Sequence, residues 1–325
     1  MARPWVTELA SRAFGDGVAV EELYGEYDLN CRVRAPGGRQ LVLKVTADAS
    51  PESRDRVELQ ARILEHLAGQ ELATEVPRVV PTSSGDVYAV VADPEGNERL
   101  AWTLTWIEGE LLDDVETYDA DLLESLGRAV GEVDRALIGF EHLLADRDLM
   151  WDSLRVPELR PHLAHVADPE EQRLAGELFD VLEEALPALA SRPRSVIHND
   201  GGNQHNMIVR RGGEGARVVG IIDFGDAVRT ARICGLGIAA AYATFGVEDP
   251  IEAIEAVARG YRSVLPLEEE DRSLLLPATL ARLLATVTVA AERAAADPDD
   301  AYATVSARGA WRSLRRLHRM GTARS

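Results

Sequence analysis

The chain has 325 residues, is 46% hydrophobic and carries a formal net charge of −20, so it holds enough apolar material for a packed core without disulfide or metal staples. That much negative charge repels phosphate backbones, which makes nucleic acid and an anionic membrane surface poor partners; it would attract a small cationic molecule, and solubility alone also accounts for most of it. Cys31 and Cys234 fit no zinc or redox spacing, and the N-terminus lacks a long apolar stretch, so a reducing, cytoplasmic setting is expected.

Apolar spacing predicts a helix over Pro4 to Phe14, stopped at Gly15-Asp-Gly17. Three short strands are expected next, at Val18 to Tyr24, Asp28 to Ala35 and Gln40 to Thr46, the last two joined by the hairpin signal Pro36-Gly-Gly38. Between the first two, Tyr24-Gly-Glu-Tyr-Asp-Leu-Asn30 stands where a phosphate-covering turn would. With Gly25 as its only glycine it is no GxGxxG loop; Asn30 and backbone amides are its candidates for a phosphate, and an ordinary β-turn is the alternative. The third strand carries Lys44, the only lysine among 35 basic residues. A chain this committed to arginine keeps a lysine where a compact ammonium on a flexible stem does what a planar guanidinium cannot. Its setting, Leu41-Val-Leu-Lys-Val45, follows the logic of a kinase strand whose lysine reaches a nucleotide's α and β phosphates.

Pro51 to Ala68 reads as an amphipathic helix capped by Ser50, with Val57, Ala61, Leu64 and Leu67 on its apolar face. Glu58 falls beside that face and is the first candidate to pair with Lys44, with Glu52 and Glu65 as rivals. Strands at Asp86 to Ala92 and Arg99 to Ile107 flank the turn Asp93-Pro-Glu-Gly-Asn97. Five antiparallel strands and one helix then make a small lobe, 1–107, whose exposed backbone near Thr105 and Ile107 is placed to bond a purine. The larger lobe, 108–325, reads as mainly helical, with helices at Asp119 to Ile138 and Glu170 to Leu189. The Phe140 to Asp152 segment between them either packs and caps or faces a substrate.

The chemistry concentrates further on. Val196-Ile-His-Asn-Asp200 and Val218-Val-Gly-Ile-Ile-Asp223-Phe-Gly-Asp226 each set acidic or amide side chains at the end of an apolar run, where a strand hands polar groups to a cleft. Two strands side by side would gather Asp200, Asn206 and Asp223 as hard oxygen ligands for Mg²⁺, with one Asp to orient a hydroxyl for attack on phosphorus. Further helices are expected at Ile233 to Phe245, Ile251 to Val264, Ser273 to Ala295 and Val305 to Met320. The apolar stretch Leu274 to Ala291 is interrupted by Pro277 and Arg282 and reads as a buried helix, not a membrane span.

On Tyr27-Asp28-x-Asn30, Val42-Leu-Lys44, Glu58-x-Gln60, the Phe140 to Asp152 block, Ile197-His-Asn-Asp200 and Gly220-Ile-Ile-Asp-Phe-Gly-Asp226, the chain resembles the aminoglycoside phosphotransferase and choline kinase superfamily, and within it the hydroxylysine kinase branch. The resemblance implies an α+β, two-lobed protein-kinase-like fold, a nucleoside triphosphate donor (ATP or GTP), Mg²⁺, and transfer of the γ-phosphate to an alcohol. By position it makes Lys44 the phosphate ligand, Glu58 its partner, Asp200 the catalytic base, and Asn206 and Asp223 the metal ligands. His198 would brace the loop, and Asp226 and Asp152 would face the amine of a small cationic alcohol. Two departures stand out. Asn206 lies six residues after Asp200, with His205 at the usual interval of five, and Gly235 replaces an anchoring Asp. An amino-acid or amino-alcohol kinase, an antibiotic kinase and a non-catalytic nucleotide-binding relative all remain open at this point.

Overall fold

The structure is a computed structural model that describes residues 3–23, 25, 28–213, 215–297 and 306–322. Tyr24, Glu26 and Tyr27 of the expected phosphate-covering turn, and Val305 of the last helix, lie outside these. The chain divides into two compact units, Met1–Gln70 with Glu75–Glu108, and Glu71–Thr74 with Gly109–Ser325. Residues 71–74 group with the second unit through Ala73 and Thr74, whose N–H groups donate to Glu132 at 3.1 and 2.8 Å.

The first unit runs α1 (Pro4–Phe14), β1 (Ala19–Leu23), β2 (Leu29–Arg34), β3 (Gln40–Val45), α2 (Pro51–Ala68), β4 (Val79–Val80), β5 (Tyr88–Ala92) and β6 (Glu98–Thr105). Its antiparallel sheet is ordered β1-β2-β3-β6-β4, with β5 also on β6. The five expected strands are therefore joined by a sixth, β4, whose two residues are too few to show an alternating pattern. Both expected helices are present, and α1 belongs to the lobe as much as α2 does, since it buries Val6 and Ala10 in the core made by Cys31, Val33, Leu41, Leu43 and Val45. Alternation sends Asn30, Lys44 and Trp102, which lie opposite one another in register, to the other face of the sheet. The helix α2 covers that face, with Ser50 accepting from Ser53 N–H at its start and Arg54 Nη1 donating to the Tyr88 hydroxyl at 3.2 Å.

The second unit continues with β7 (Glu110–Leu111), α3 (Ala120–Ala136), α4 (Pro169–Ala190), β8 (Arg194–Ile197), β9 (Met207–Gly212), β10 (Gly215–Ile221), β11 (Val228–Ala231), α5 (Ile233–Ala243), α6 (Pro250–Arg262), α7 (Glu269–Ala296) and α8 (Ala307–Thr322). The helix α7 starts one turn earlier than its apolar spacing predicts, because Glu268 N–H donates to Asp271 Oδ2 at 3.1 Å and caps it. It is long and apolar enough to cross a membrane, but 83% of its apolar window is buried within the protein, so it is the core helix of this unit. The helices α3 and α6 cross backbone to backbone: a Cβ on Gly127 would strike the Val257 carbonyl, and one on Gly260 the Glu124 carbonyl. Only glycine at both points allows that approach, and the Arg259–Glu124 ion pair at 2.8 Å fastens the same crossing.

Candidate active site

Two strand pairs, not the single pair expected, build the second unit's acidic cluster. Ile197 of β8 lies opposite Val228 of β11, and Met207 of β9 opposite Ile221 of β10. The loops after β8 and β10 are thereby brought together and bonded, with Ile222 N–H donating to the Asn206 carbonyl at 2.9 Å. His198 ties them again. Asp200 N–H donates to its Nδ1 at 3.3 Å, which leaves Nε2 to donate to the Ile222 carbonyl at 3.0 Å. Burial pushes the imidazole pKa down to about 4, so His198 is a neutral brace packed 4.4 Å from the Phe224 ring. Asn199 and Asp223, each with φ 63°, are the non-glycine residues of left-handed backbone among those described, a conformation that Asn and Asp tolerate best.

Asp200 sits within a ring of donors. Its Oδ2 accepts from Asn203 Nδ2 at 2.9 Å and Asn206 Nδ2 at 2.7 Å. Among the described residues its Oδ1 has only longer neighbours, the Tyr242 hydroxyl and Arg282 Nη2, both at 3.4 Å. Burial raises the Asp200 pKa to about 7, with Asp226 and Asp223 adding to the rise and Arg282 and Asn203 opposing it. A carboxylate poised near neutrality, with one oxygen weakly engaged, can take a proton.

The six-residue interval between Asp200 and Asn206 is absorbed by two turns, Asn203 N–H to Asp200 carbonyl at 3.2 Å and Asn206 N–H to Asn203 carbonyl at 2.8 Å. Gly202, at φ 107°, presses against Ala239 of α5 where a Cβ would not fit. His205 turns aside to Asp113, 3.9 Å away. Asn206 is therefore the residue at Asp200, and its amide Oδ1 has no partner among the described residues. Asp223 is exposed and receives Gly225 N–H at 3.3 Å, while Arg147 Nη2 holds the turn through the Gly225 and Ala227 carbonyls at 2.6 and 2.9 Å. No group of three His, Cys, Asp or Glu side chains that could hold a metal occurs among the described residues. The oxygens of Asp223 and Asn206 fit a hard cation that completes its shell with water and phosphate, as Mg²⁺ does.

In the first unit Lys44 is buried, with Nζ 4.0 Å from Asp28 Oδ2 and 5.8 Å from the Trp102 ring centroid. Asp28 Oδ1 takes Arg56 Nη2 of α2 at 3.0 Å. The expected Glu58–Lys44 pair is not made. Glu58 is exposed and bonds Arg62 at 3.3 Å, and Glu52 and Glu65 are exposed as well. The physical reason is the width of the buried stripe, which includes Leu59, Gln60 and Ile63 and so turns 58, 62 and 65 to solvent. Thr105 also differs from expectation: its N–H donates to the Arg78 carbonyl at 2.9 Å and its hydroxyl accepts Arg78 N–H at 2.9 Å, so the β4 edge uses the donor offered to a purine. The backbone of Ile107, next but one, has no hydrogen-bond partner among the described residues.

Asp152 is corrected as an acceptor-facing residue. It is 6% exposed, caps the 3-10 helix Ser153–His165 through Leu154 N–H at 3.1 Å and takes the Thr230 hydroxyl at 2.7 Å. The residues that sequence reasoning missed around Asp200 are Asn203, Tyr242 and Arg282. Only Arg282 had a signal, a charge kept inside an apolar helix.

Gly235 leaves room that a carboxylate from α3 occupies, since a Cβ at 235 would lie 2.9 Å from Asp134 Oδ2. Asp134 bonds the Tyr261 hydroxyl at 2.9 Å, not the loop after β8. Burial raises its pKa to about 7 against the lowering by Tyr261 and Arg232. The folded state thus holds a proton that the unfolded chain, with a pKa of about 3.9, releases. The stability that this proton brings is complete below about pH 4 and falls by up to about 1.4 kcal/mol per pH unit toward pH 7. Asp134→Asn keeps an acceptor for Tyr261 without the titration. Urea unfolding between pH 5 and 7.5 is expected to show a flatter profile for the variant and greater stability than the parent at the upper end; parallel profiles would refute it.

Residues 21–276 match the phosphotransferase enzyme family. Hydroxylysine kinase of Mus musculus is 24% identical, over 98% of this chain and 91% of that relative. Among solved structures, a microcompartment-associated aminopropanol kinase has a TM-score of 0.70 at 20% identity over 98% of both chains. An amicoumacin kinase in complex with AMP-PNP, Ca²⁺ and Ami has a TM-score of 0.69 at 14% identity, over 97% of this chain and 93% of that one. These likenesses establish the two-lobed kinase-like fold, with an antiparallel sheet in the small lobe and helices in the large one.

Proposed function

Because the chain belongs to the phosphotransferase enzyme family, we propose that it is a small-molecule kinase that transfers the γ-phosphate of ATP or GTP to the hydroxyl of an amino acid or amino alcohol of the hydroxylysine type. The observation that carries this reading is the asymmetry of Asp200, whose Oδ2 accepts from two amides while Oδ1, among the described residues, keeps only contacts of 3.4 Å. The acceptor hydroxyl gives its proton to Oδ1 as its oxygen bonds the γ-phosphorus. The bond from that phosphorus to the bridging oxygen breaks, and nucleoside diphosphate leaves. Lys44 is assigned to the donor's phosphates, and Asp223 and Asn206 Oδ1 to Mg²⁺, which supplies charge neutralisation when bound. Asp226, whose charge is felt at Asp200, is assigned to the acceptor's ammonium, in keeping with the chain's negative charge.

The hydroxylysine kinase and aminopropanol kinase relatives share an acceptor with both an amine and a hydroxyl, which supports that class over a neutral alcohol. The retained contact between Asn206 and Asp200 across the lengthened loop weighs against a non-catalytic relative. The test is nucleoside diphosphate release with Mg²⁺, ATP or GTP, and a panel of hydroxylysine, homoserine, threonine, ethanolamine and kanamycin. Turnover of hydroxylysine or ethanolamine is expected. Turnover of kanamycin alone points to the antibiotic kinase, and nucleotide binding with no turnover defeats the proposal.

A further inference from the structure

Arg282 lies midway along α7, 3% exposed, in a stretch buried from Ala278 to Ala290. Burying a guanidinium is costly unless it is paired. Its Nη2 donates to the carbonyl of Asn199 and stands 3.4 Å from Asp200 Oδ1, with the Trp151 and Tyr242 ring centroids 5.3 and 5.9 Å from its central carbon. Its Nε is buried without a hydrogen-bond partner among the described residues. The side chain therefore does not satisfy its own donors in full; what it does satisfy is the loop after β8.

That loop needs holding. Asn199 is left-handed at φ 63°, and a non-glycine residue keeps such a conformation only where its surroundings over-determine it. Apart from Arg282, Asn199 is held among the described residues through its side chain by one contact of 3.4 Å, Nδ2 to the Trp151 carbonyl. Rotation of the Asn199–Asp200 peptide would swing the carboxylate away from its ring of donors. We propose that Arg282 is a positioning residue that locks this peptide in its left-handed turn and presents Asp200 Oδ1 to the acceptor. The inference rests on the reading of Asp200 as proton acceptor. One guanidinium nitrogen reaches a carbonyl and a carboxylate together; a lysine retains the charge but not the rigid planar fork.

Arg282→Gln, Arg282→Lys and the same-helix control Thr279→Val are compared by steady-state kinetics, by hydrogen–deuterium exchange over 196–206, and by thermal midpoint. Arg282→Gln is expected to lower kcat about 100-fold, to leave the nucleotide KM within about threefold, and to speed exchange in the 196–206 loop without speeding it in α3 or α4. Arg282→Lys recovers part of kcat, and Thr279→Val behaves as the parent. A folded Arg282→Gln protein with parental kcat and parental loop exchange overturns the proposal. Faster exchange throughout the second unit, with a lowered midpoint and no excess in the loop, also overturns it, because that is the mark of a merely structural arginine. If Arg282→Gln does not fold, Arg282→Lys decides by the same readouts: lowered kcat with local loosening supports the proposal, and parental behaviour overturns it. If the parent turns over no acceptor, the kinase reading fails, yet loop exchange in the variants still decides whether Arg282 holds the peptide.

Discussion

Asp200→Asn is expected to lower kcat by about 10³-fold while changing nucleotide affinity little. The Asn carbonyl can accept both Asn203 Nδ2 and Asn206 Nδ2 as Oδ2 does now, so the loop should keep its shape. Its NH₂ then occupies the place of Oδ1, where it can accept no proton and faces the Arg282 guanidinium, itself a donor. An interaction needed only as the acceptor oxygen attacks should appear in kcat and not in ground-state binding. Nucleoside diphosphate release measures the first quantity and calorimetry with AMP-PNP the second. A variant that retains a tenth or more of parental kcat would remove Asp200 from the chemistry.

Why some of this site was legible from sequence and some was not comes down to how far each residue's role depends on contacts distant in the chain. Lys44, Asp200 and Asp223 stand at or just beyond the ends of apolar runs, so local pattern alone singles them out. Asp28 becomes the neighbour of Lys44 only because β2 and β3 pair with Asn30 opposite Lys44, and because α2 presents Arg56 to the other carboxylate oxygen. Glu58 was misplaced by a narrow reading of α2. Four apolar positions set a stripe beside which 58 lies, but the buried face also takes in Leu59, Gln60 and Ile63, which turns it away from 58. The short strands β4 and β7 have two residues each and no period to read. β4 nevertheless decides the fate of the Thr105 N–H. Arg282 is the instructive case. As a charge in an apolar run it was evidence that α7 is buried, and only coordinates reveal that its partner is the loop around Asp200.

Lys44→Met is expected to lower kcat/KM for the nucleotide by about 10²- to 10³-fold, the cost of removing one preorganised donor from a developing charge. Methionine matches the length of the stem and suits the apolar side of Trp102, and Asp28 keeps its bond to Arg56. Companion variants separate the two candidate partners of Lys44. Asp28→Asn should lower kcat/KM about tenfold by loosening both Lys44 and Arg56, whereas Glu58→Gln, exposed and bonded to Arg62, should stay within about twofold. The reverse order, with Glu58→Gln the more damaging, would mean that α2 turns its glutamate toward Lys44 when nucleotide is bound and that Asp28 is only its resting partner.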